Sequence, residues 1–441
     1  MNTEILAVPE KTKYSFLFVV FGIAASFGVP ILILGNGFAI SFVGIMSVFL
    51  LVFTLVTKRE LTFFKYFDKC ILAYIFIIIF SFFNFFISQR TIGFLITNYT
   101  HGLISFFIVF TTYVVVIENP DRKNAIVKGL LIGLVLNLVY GAYQYIGLEH
   151  GWAHTDLSAF FPNYDVELGH LTMTRRVKGA FLEPSSFMKF LVPTLIFVVT
   201  QMKQGVFKVV VVVATISIMA LTLSPLFILG IIGFLLYYFI LLTAKKRAAR
   251  PKGVTYAMLL RFSLYAAVIF LFIAFNLWEW LNEHIDFVRI YERIFTGAAH
   301  GEYDGGRGEF LRHGLSILPN YFLGAGFNAT PTIMTQYFGR GSSFNAFVNI
   351  ALSTGILGVI AYTAIYVYPA YKLIKHGASK YSLALGIALI CALIANSSTG
   401  VDFMYSTLVL LGLASIEIVD SINKESCEAV VCDAEPKEVV N

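Results

Sequence analysis

The sequence predicts an all-α integral membrane protein with about twelve transmembrane helices and two large periplasmic segments. Hydrophobic residues make up 58% of the 441 and mean hydropathy is +0.79. Only 13% of residues are charged, against about 25% in soluble domains. Apolar runs recur from Tyr14 to Val419, which excludes a secreted protein with one leader. They are continuous and lack the ten-residue alternation of an outer-membrane barrel.

A spanning helix needs about 20 mainly apolar residues. On that basis the spans fall at 14–34, 37–57, 70–88, 103–117, 126–147, 184–202, 208–224, 226–244, 255–277, 345–371, 381–397 and 403–420. The chain then divides into a cytoplasmic N-terminus (1–13), spans one to five (14–147), a periplasmic loop (148–183), spans six to nine (184–277), a large periplasmic loop (278–344), spans ten to twelve (345–420) and a cytoplasmic tail (421–441). Ser224-Pro225 divides one apolar stretch into spans seven and eight, and the tail from Asn423 is polar and expected to be disordered.

With both termini cytoplasmic, the inner segments hold 22 of the 32 Lys and Arg residues, as the positive-inside rule requires. The net charge of +6 is thus divided across a bilayer and does not point to nucleic acid. Of the four cysteines, Cys70 and Cys391 lie in or beside apolar runs, and Cys427 and Cys432 lie in the tail. They read as inert thiols with no disulfide framework. No internal repeat of the kind carriers show is visible.

The outer segments carry seven of the eight histidines and a set of basic residues: Arg175, Arg176 and Lys178, then Arg289, Arg293, Arg307, Arg312 and Arg340. Arginine outside works against the orienting charge bias. Its rigid guanidinium fork matches phosphate oxygens and stays charged when partly buried. Two arginine-bearing loops therefore suggest a site for a phosphorylated ligand anchored in the bilayer. The alternative is salt bridging to the loops' own Glu167, Asp286, Glu292, Asp304 and Glu309.

The segment from Arg175 to Ser186 places basic residues at the outer end of the sixth span, with Gly179 to turn the backbone, Glu183-Pro184 to start the helix, and Ser185 and Ser186 for its free amides. Lys189 follows one turn in. It is either functional or a lysine snorkelling to the interface. Further on, Asp304 to Phe310 leads into an amphipathic stretch, Glu309 to Leu318. Leu323-Gly324-Ala325-Gly326-Phe327 then forms a flexible turn where backbone approaches a ligand. No strand precedes these glycines and no lysine follows, which argues against a nucleotide loop.

These residues resemble the O-antigen polymerase and ligase superfamily (Wzy and WaaL type) over roughly residues 170 to 365. Three patterns match in order: Arg-x-x-Gly-x-Phe-x-x-Pro at Arg176–Pro184, Gly-Arg-x-x-Phe...Pro...Gly-x-Gly at Gly306–Gly326, and Asn...Gly-x-x-Gly at Asn345–Gly358. The ligases have His-Asn entering the following span, with a Glu eight residues after the Asn; here Phe344 precedes Asn345 and Ser353 stands at the Glu position. A Ser-Arg pair of that family appears as Ser224-Pro225. The missing histidine favours the polymerase branch.

The resemblance implies a glycosyltransferase of the bacterial inner membrane. Its donor and acceptor are undecaprenyl-pyrophosphate-linked oligosaccharides, it uses no cofactor or metal, and a chain-length regulator is a further candidate partner. Arg176 and Arg307 would stabilise the departing pyrophosphate, and Glu183 or His313 would serve as general base. Arg175, Lys178, Lys189, Arg289, Arg293, Arg312 and Asn345 are candidates for substrate binding. Two other functions stay open: ligation of the glycan to a lipid A core, and a flippase for lipid-linked sugars.

Overall fold

The computed structural model describes residues 15–28, 32–34, 38–57, 69–87, 92–152, 176–181, 183–222, 307–327, 329–339, 345–376, 379–397 and 404–433, with Thr155 and scattered positions between 224 and 239. The expected spans eight and nine lie largely or wholly outside these residues, as do the structures of most of both expected loops.

The helices are α1 (Ser15–Ala24), α2 (Phe42–Thr57), α3 (Lys69–Ile87), α4 (Ile92–Glu118), α5 (Asp121–His150), α6 (Pro184–Gln201), α7 (Val206–Leu221), α8 (Arg307–Ile317), α9 (Thr330–Phe338), α10 (Ala346–His376), α11 (Lys380–Asn396) and α12 (Tyr405–Asp433). Local sequence explains several of the ends. Helix α5 opens after Pro120 with Asp121 in its first turn and closes on the left-handed Gly151, whose N–H bonds to the Gly147 carbonyl. Pro184 starts α6. The Ser379 hydroxyl caps α11 by accepting from the Ser382 N–H at 3.0 Å.

The helical expectation holds, with three departures. The first span stops at Ala24, because Gly28-Val29-Pro30 ends the helix. A short antiparallel pair of strands, β1 (Leu32–Leu34) with β2 (Phe38–Ile40), follows. Helix α4 begins at Ile92, eleven residues before the expected span, because Asn98, Thr100 and His101 lower its hydropathy without breaking a helix. Helix α12 continues to Asp433, into the tail expected to be disordered. No Pro or Gly interrupts residues 413–433, and Glu, Lys and Ala favour the helix.

Helices α6 and α11 form the middle of the packing, both buried nearly all round. They pack antiparallel: Phe197 near the end of α6 meets Tyr381 at the start of α11, ring centroids 5.0 Å apart. Helix α10 lies on α11 and α3, and α12 lies on α4. A seam of small residues joins α1 to α5. A Cβ on Gly22 would run into the backbone of Ile126 and Gly129, and one on Gly133 into the Ser26 side chain. The repeats Gly22-x-x-x-Ser26 and Gly129-x-x-x-Gly133 thus bring two backbones together.

Contacts define two ends of the bundle. At one end Lys123 pairs with Glu417 at 2.7 Å, Ser382 donates to the same carboxylate at 2.9 Å, and the Lys123 ammonium lies 4.4 Å from the Tyr381 ring centroid. Asn345 and Ser397 meet at the other end, where the Asn345 amide donates to the Ser397 carbonyl at 2.7 Å. Among the described residues, Asp121–Leu148 and Ala346–Lys375 are long and apolar enough to cross a membrane. Outward faces carry exposed Phe49, Val52 and Val56 on α2 and Val206, Phe207 and Val210 on α7.

Candidate functional site

The basic segment that precedes α6 is fastened on two sides. Toward α7, the Arg176 Nε–H donates to the Thr222 carbonyl at 2.9 Å, and the Val177 N–H donates to the Leu221 carbonyl at 3.2 Å. Both acceptors belong to the C-terminal end of a helix, where carbonyls lack intrahelical partners and the dipole favours a cation. Toward α5, the Gln144 side-chain oxygen accepts from the N–H groups of Lys178 (3.2 Å) and Gly179 (2.8 Å), and its amide donates to the Gly179 carbonyl (3.2 Å) and the Thr155 carbonyl (2.9 Å). The Asn137 oxygen accepts from the Ala180 N–H at 3.1 Å, while its amide donates to the Ser26 and Gly133 carbonyls. Finally, the Gly28 N–H donates to the Ala180 carbonyl at 3.1 Å.

Gly179 is required for two reasons. Its φ is +57°, and a Cβ there would press on the Phe187 ring at 2.7 Å. Phe181 stacks on Phe187 and Phe190, with centroids 5.4 and 5.3 Å away, which seats the segment on the first turns of α6. Lys178 is 4% exposed and Lys189 only 1%. Lys189 is therefore enclosed by the bundle, and the snorkelling alternative does not describe it.

Glu183 is exposed at the start of α6 and accepts from the Ser185 hydroxyl at 3.0 Å, so that hydroxyl turns to the carboxylate, away from the role expected for it on helix amides. Arg307 opens α8, but its side chain lies outside the described residues, as do Arg175, Arg289 and Arg293 altogether. Arg312 is exposed. The His313 ring lies flat on Phe338, with centroids 4.2 Å apart, and Phe310 meets it edge-on. Asn345 has a structural task, because its side-chain oxygen caps α10 by accepting from the Val348 N–H at 3.1 Å while its amide ties α10 to the end of α11.

The Gly324-Ala325-Gly326 turn corrects the sequence expectation. Its backbone approaches another helix, not a ligand. Helix α10 is broken at Gly355, with φ 73° and ψ −174°. The break leaves the Leu352 and Ser353 carbonyls without helical partners, and the N–H groups of Ala325 (2.9 Å) and Gly326 (2.8 Å) donate to them. The Ile356 N–H donates back to the Phe322 carbonyl at 3.2 Å. Ser353, at the position of the ligase glutamate, is buried with its hydroxyl 3.0 Å from that of Thr330.

Asn137 and Gln144 were not singled out from the sequence. The signal was present, since two amides seven residues apart in an apolar run share one helix face. Among the described residues, no three His, Cys, Asp or Glu side chains gather as a metal site would need. Cys70 and Cys391 are buried free thiols. No protein-family model matches the chain, and no curated protein matches it in sequence. The family resemblance therefore rests on the order of the motifs.

Proposed function

We propose that the chain is a multi-pass glycosyltransferase of the bacterial inner membrane, with both termini cytoplasmic and its active site on the periplasmic face. Within that class it is a polysaccharide polymerase of the O-antigen or capsule kind. It moves a growing glycan from undecaprenyl pyrophosphate onto the next lipid-linked repeat unit.

The observation that carries this reading is the fixed cationic segment from Arg176 to Lys189, with two lysines buried and Arg176 gripped by the end of α7. Several cations held on one short stretch of backbone suit a ligand that carries two phosphates, and a lipid pyrophosphate is such a ligand. The exposed apolar faces of α2 and α7 support a bilayer setting. The basic Lys69, Lys123 and Lys380 lie at the opposite end from Arg176, in keeping with the positive-inside rule.

In the reaction the bond between the donor sugar C1 and the pyrophosphate oxygen breaks, and a bond from C1 to the acceptor hydroxyl oxygen forms. Negative charge develops on the departing pyrophosphate; Arg176, held in place by α7, stabilises it, and the motif order gives Arg307 the same role. The acceptor proton passes to a base. Glu183 suits that role better than His313, because its carboxylate is exposed at the start of α6 while the imidazole is stacked on Phe338.

Two experiments test the reading. A topology reporter fused after Gly205 should read cytoplasmic, and one after Trp152 periplasmic; the same side for both would sink the membrane arrangement. Purified protein given only lipid-linked repeat units should produce a ladder of longer glycans still attached to undecaprenyl pyrophosphate. A ladder that appears only when lipid A core is added would make the protein a ligase instead.

A further inference from the structure

We infer that Asn137 and Gln144 are positioning residues: from one face of α5 they set the backbone of residues 178–180, and through it the cations that flank the reacting pyrophosphate. This rests on the glycosyltransferase reading above.

The N–H groups of Lys178, Gly179 and Ala180 all end on side-chain oxygens of α5, two on Gln144 and one on Asn137. A loop beside a helix ordinarily takes its hydrogen bonds from water or other backbone. Here three successive donors are held by two amide side chains, themselves 1% and 0% exposed. A spacing of seven residues is two helical turns, about 10 Å of rise, so the pair grips the segment at two levels on a long helix. Both amides are locked in turn. The Gln144 amide donates to the Gly179 and Thr155 carbonyls, and the Asn137 amide donates to the Ser26 carbonyl just past the end of α1 and the Gly133 carbonyl of its own helix.

The other edge of the segment is fixed by Thr222 and Leu221 of α7. Arg176 and Lys178 thus hang from a short stretch of backbone clamped between two helices. Neither amide is in reach of bulk solvent, so each acts through the backbone it holds. Misplacing a catalytic group by about 1 Å costs on the order of 100-fold in rate, and developing charge feels that error more than ground-state binding does.

The test combines hydrogen exchange with steady-state kinetics on the full-length protein, using a lipid-linked repeat unit as the probe. Gln144→Met keeps the length of the side chain and removes its acceptor and donor. It should lose protection at the 178 and 179 amides and lower kcat about 100-fold, with KM changed by less than about threefold. Gln144→Glu retains the acceptor oxygen, so it should keep that protection and recover kcat to within about tenfold of wild type. Should Gln144→Met fail to fold, Asn137→Leu read at the Ala180 amide replaces it.

Retained protection in Gln144→Met overturns the inference, and so does lost protection with an unchanged kcat. Wild-type protein with protected amides that extends no lipid-linked glycan would overturn the functional reading and leave the clamp standing.

Discussion

Arg176→Ala is expected to slow glycan extension by about 10²–10³-fold, the usual cost of removing one prearranged group that stabilises developing charge. The protein should remain folded. The Arg176 Nε–H donates to the Thr222 carbonyl at 2.9 Å, and one partly buried hydrogen bond contributes about 1 kcal/mol net. Arg176→Lys should restore little, because an ammonium cannot both reach a helix-end carbonyl and present a planar fork to a phosphate. Arg307→Ala belongs in the same experiment, its role coming from the motif order. Polymer of normal length from both alanine variants would sink the assignment of these arginines.

Gly355→Ala is expected to have the largest effect on stability. Its φ of 73° with ψ near 180° is a conformation open essentially to glycine alone. A Cβ there would also stand 2.5 Å from the Phe322 carbonyl oxygen and 2.6 Å from the Leu323 carbonyl carbon. Backbone strain and overpacking each cost about 1–3 kcal/mol. The clash would pull residues 322–326 off the broken helix and loosen the small core formed by Phe310, Ile317, Ala325, Ile333 and Leu352. Gly339→Ala is the control: its φ is 69°, but none of the described residues comes within 4 Å of the added Cβ, so its cost is the local 1–2 kcal/mol of a left-handed residue, roughly. Equal melting temperatures for the two variants would show that the contact between the turn and α10 does not matter.

Element positions were legible where apolar runs met clear boundary residues. Helix α6 starts at the expected Pro184, and α11 runs within a residue of its expected ends. The β1–β2 strand pair was not, because β-branched and aliphatic residues on either side of Gly35-Asn36-Gly37 look the same to a hydropathy reading as two helix ends do. The site was half legible. Motif order singled out Arg176, Gly179 and Glu183, yet said nothing of what holds them, since Asn137 and Gln144 vanish into the average of a long apolar run. The glycines at 324 and 326 marked a close backbone approach correctly and its object wrongly. A glycine records only that there is no room for a side chain, not whether a ligand or another helix takes the space.

The small-residue seam between α1 and α5 also bears on the order in which the chain comes together. Helix α1 ends at Ala24, and the partner that fits its Gly22 and the Ser26 just beyond it begins only at Asp121. During synthesis the N-terminal helix must wait for three intervening helices before its closest neighbour exists. Contacts so distant in sequence are slow to close. The Ser26 carbonyl that receives the Asn137 amide comes into place only when they do. Residues 176–180 leave the ribosome later still, and their other anchor, Thr222, later than they do, so the clamp on this segment waits on contacts from both directions along the chain.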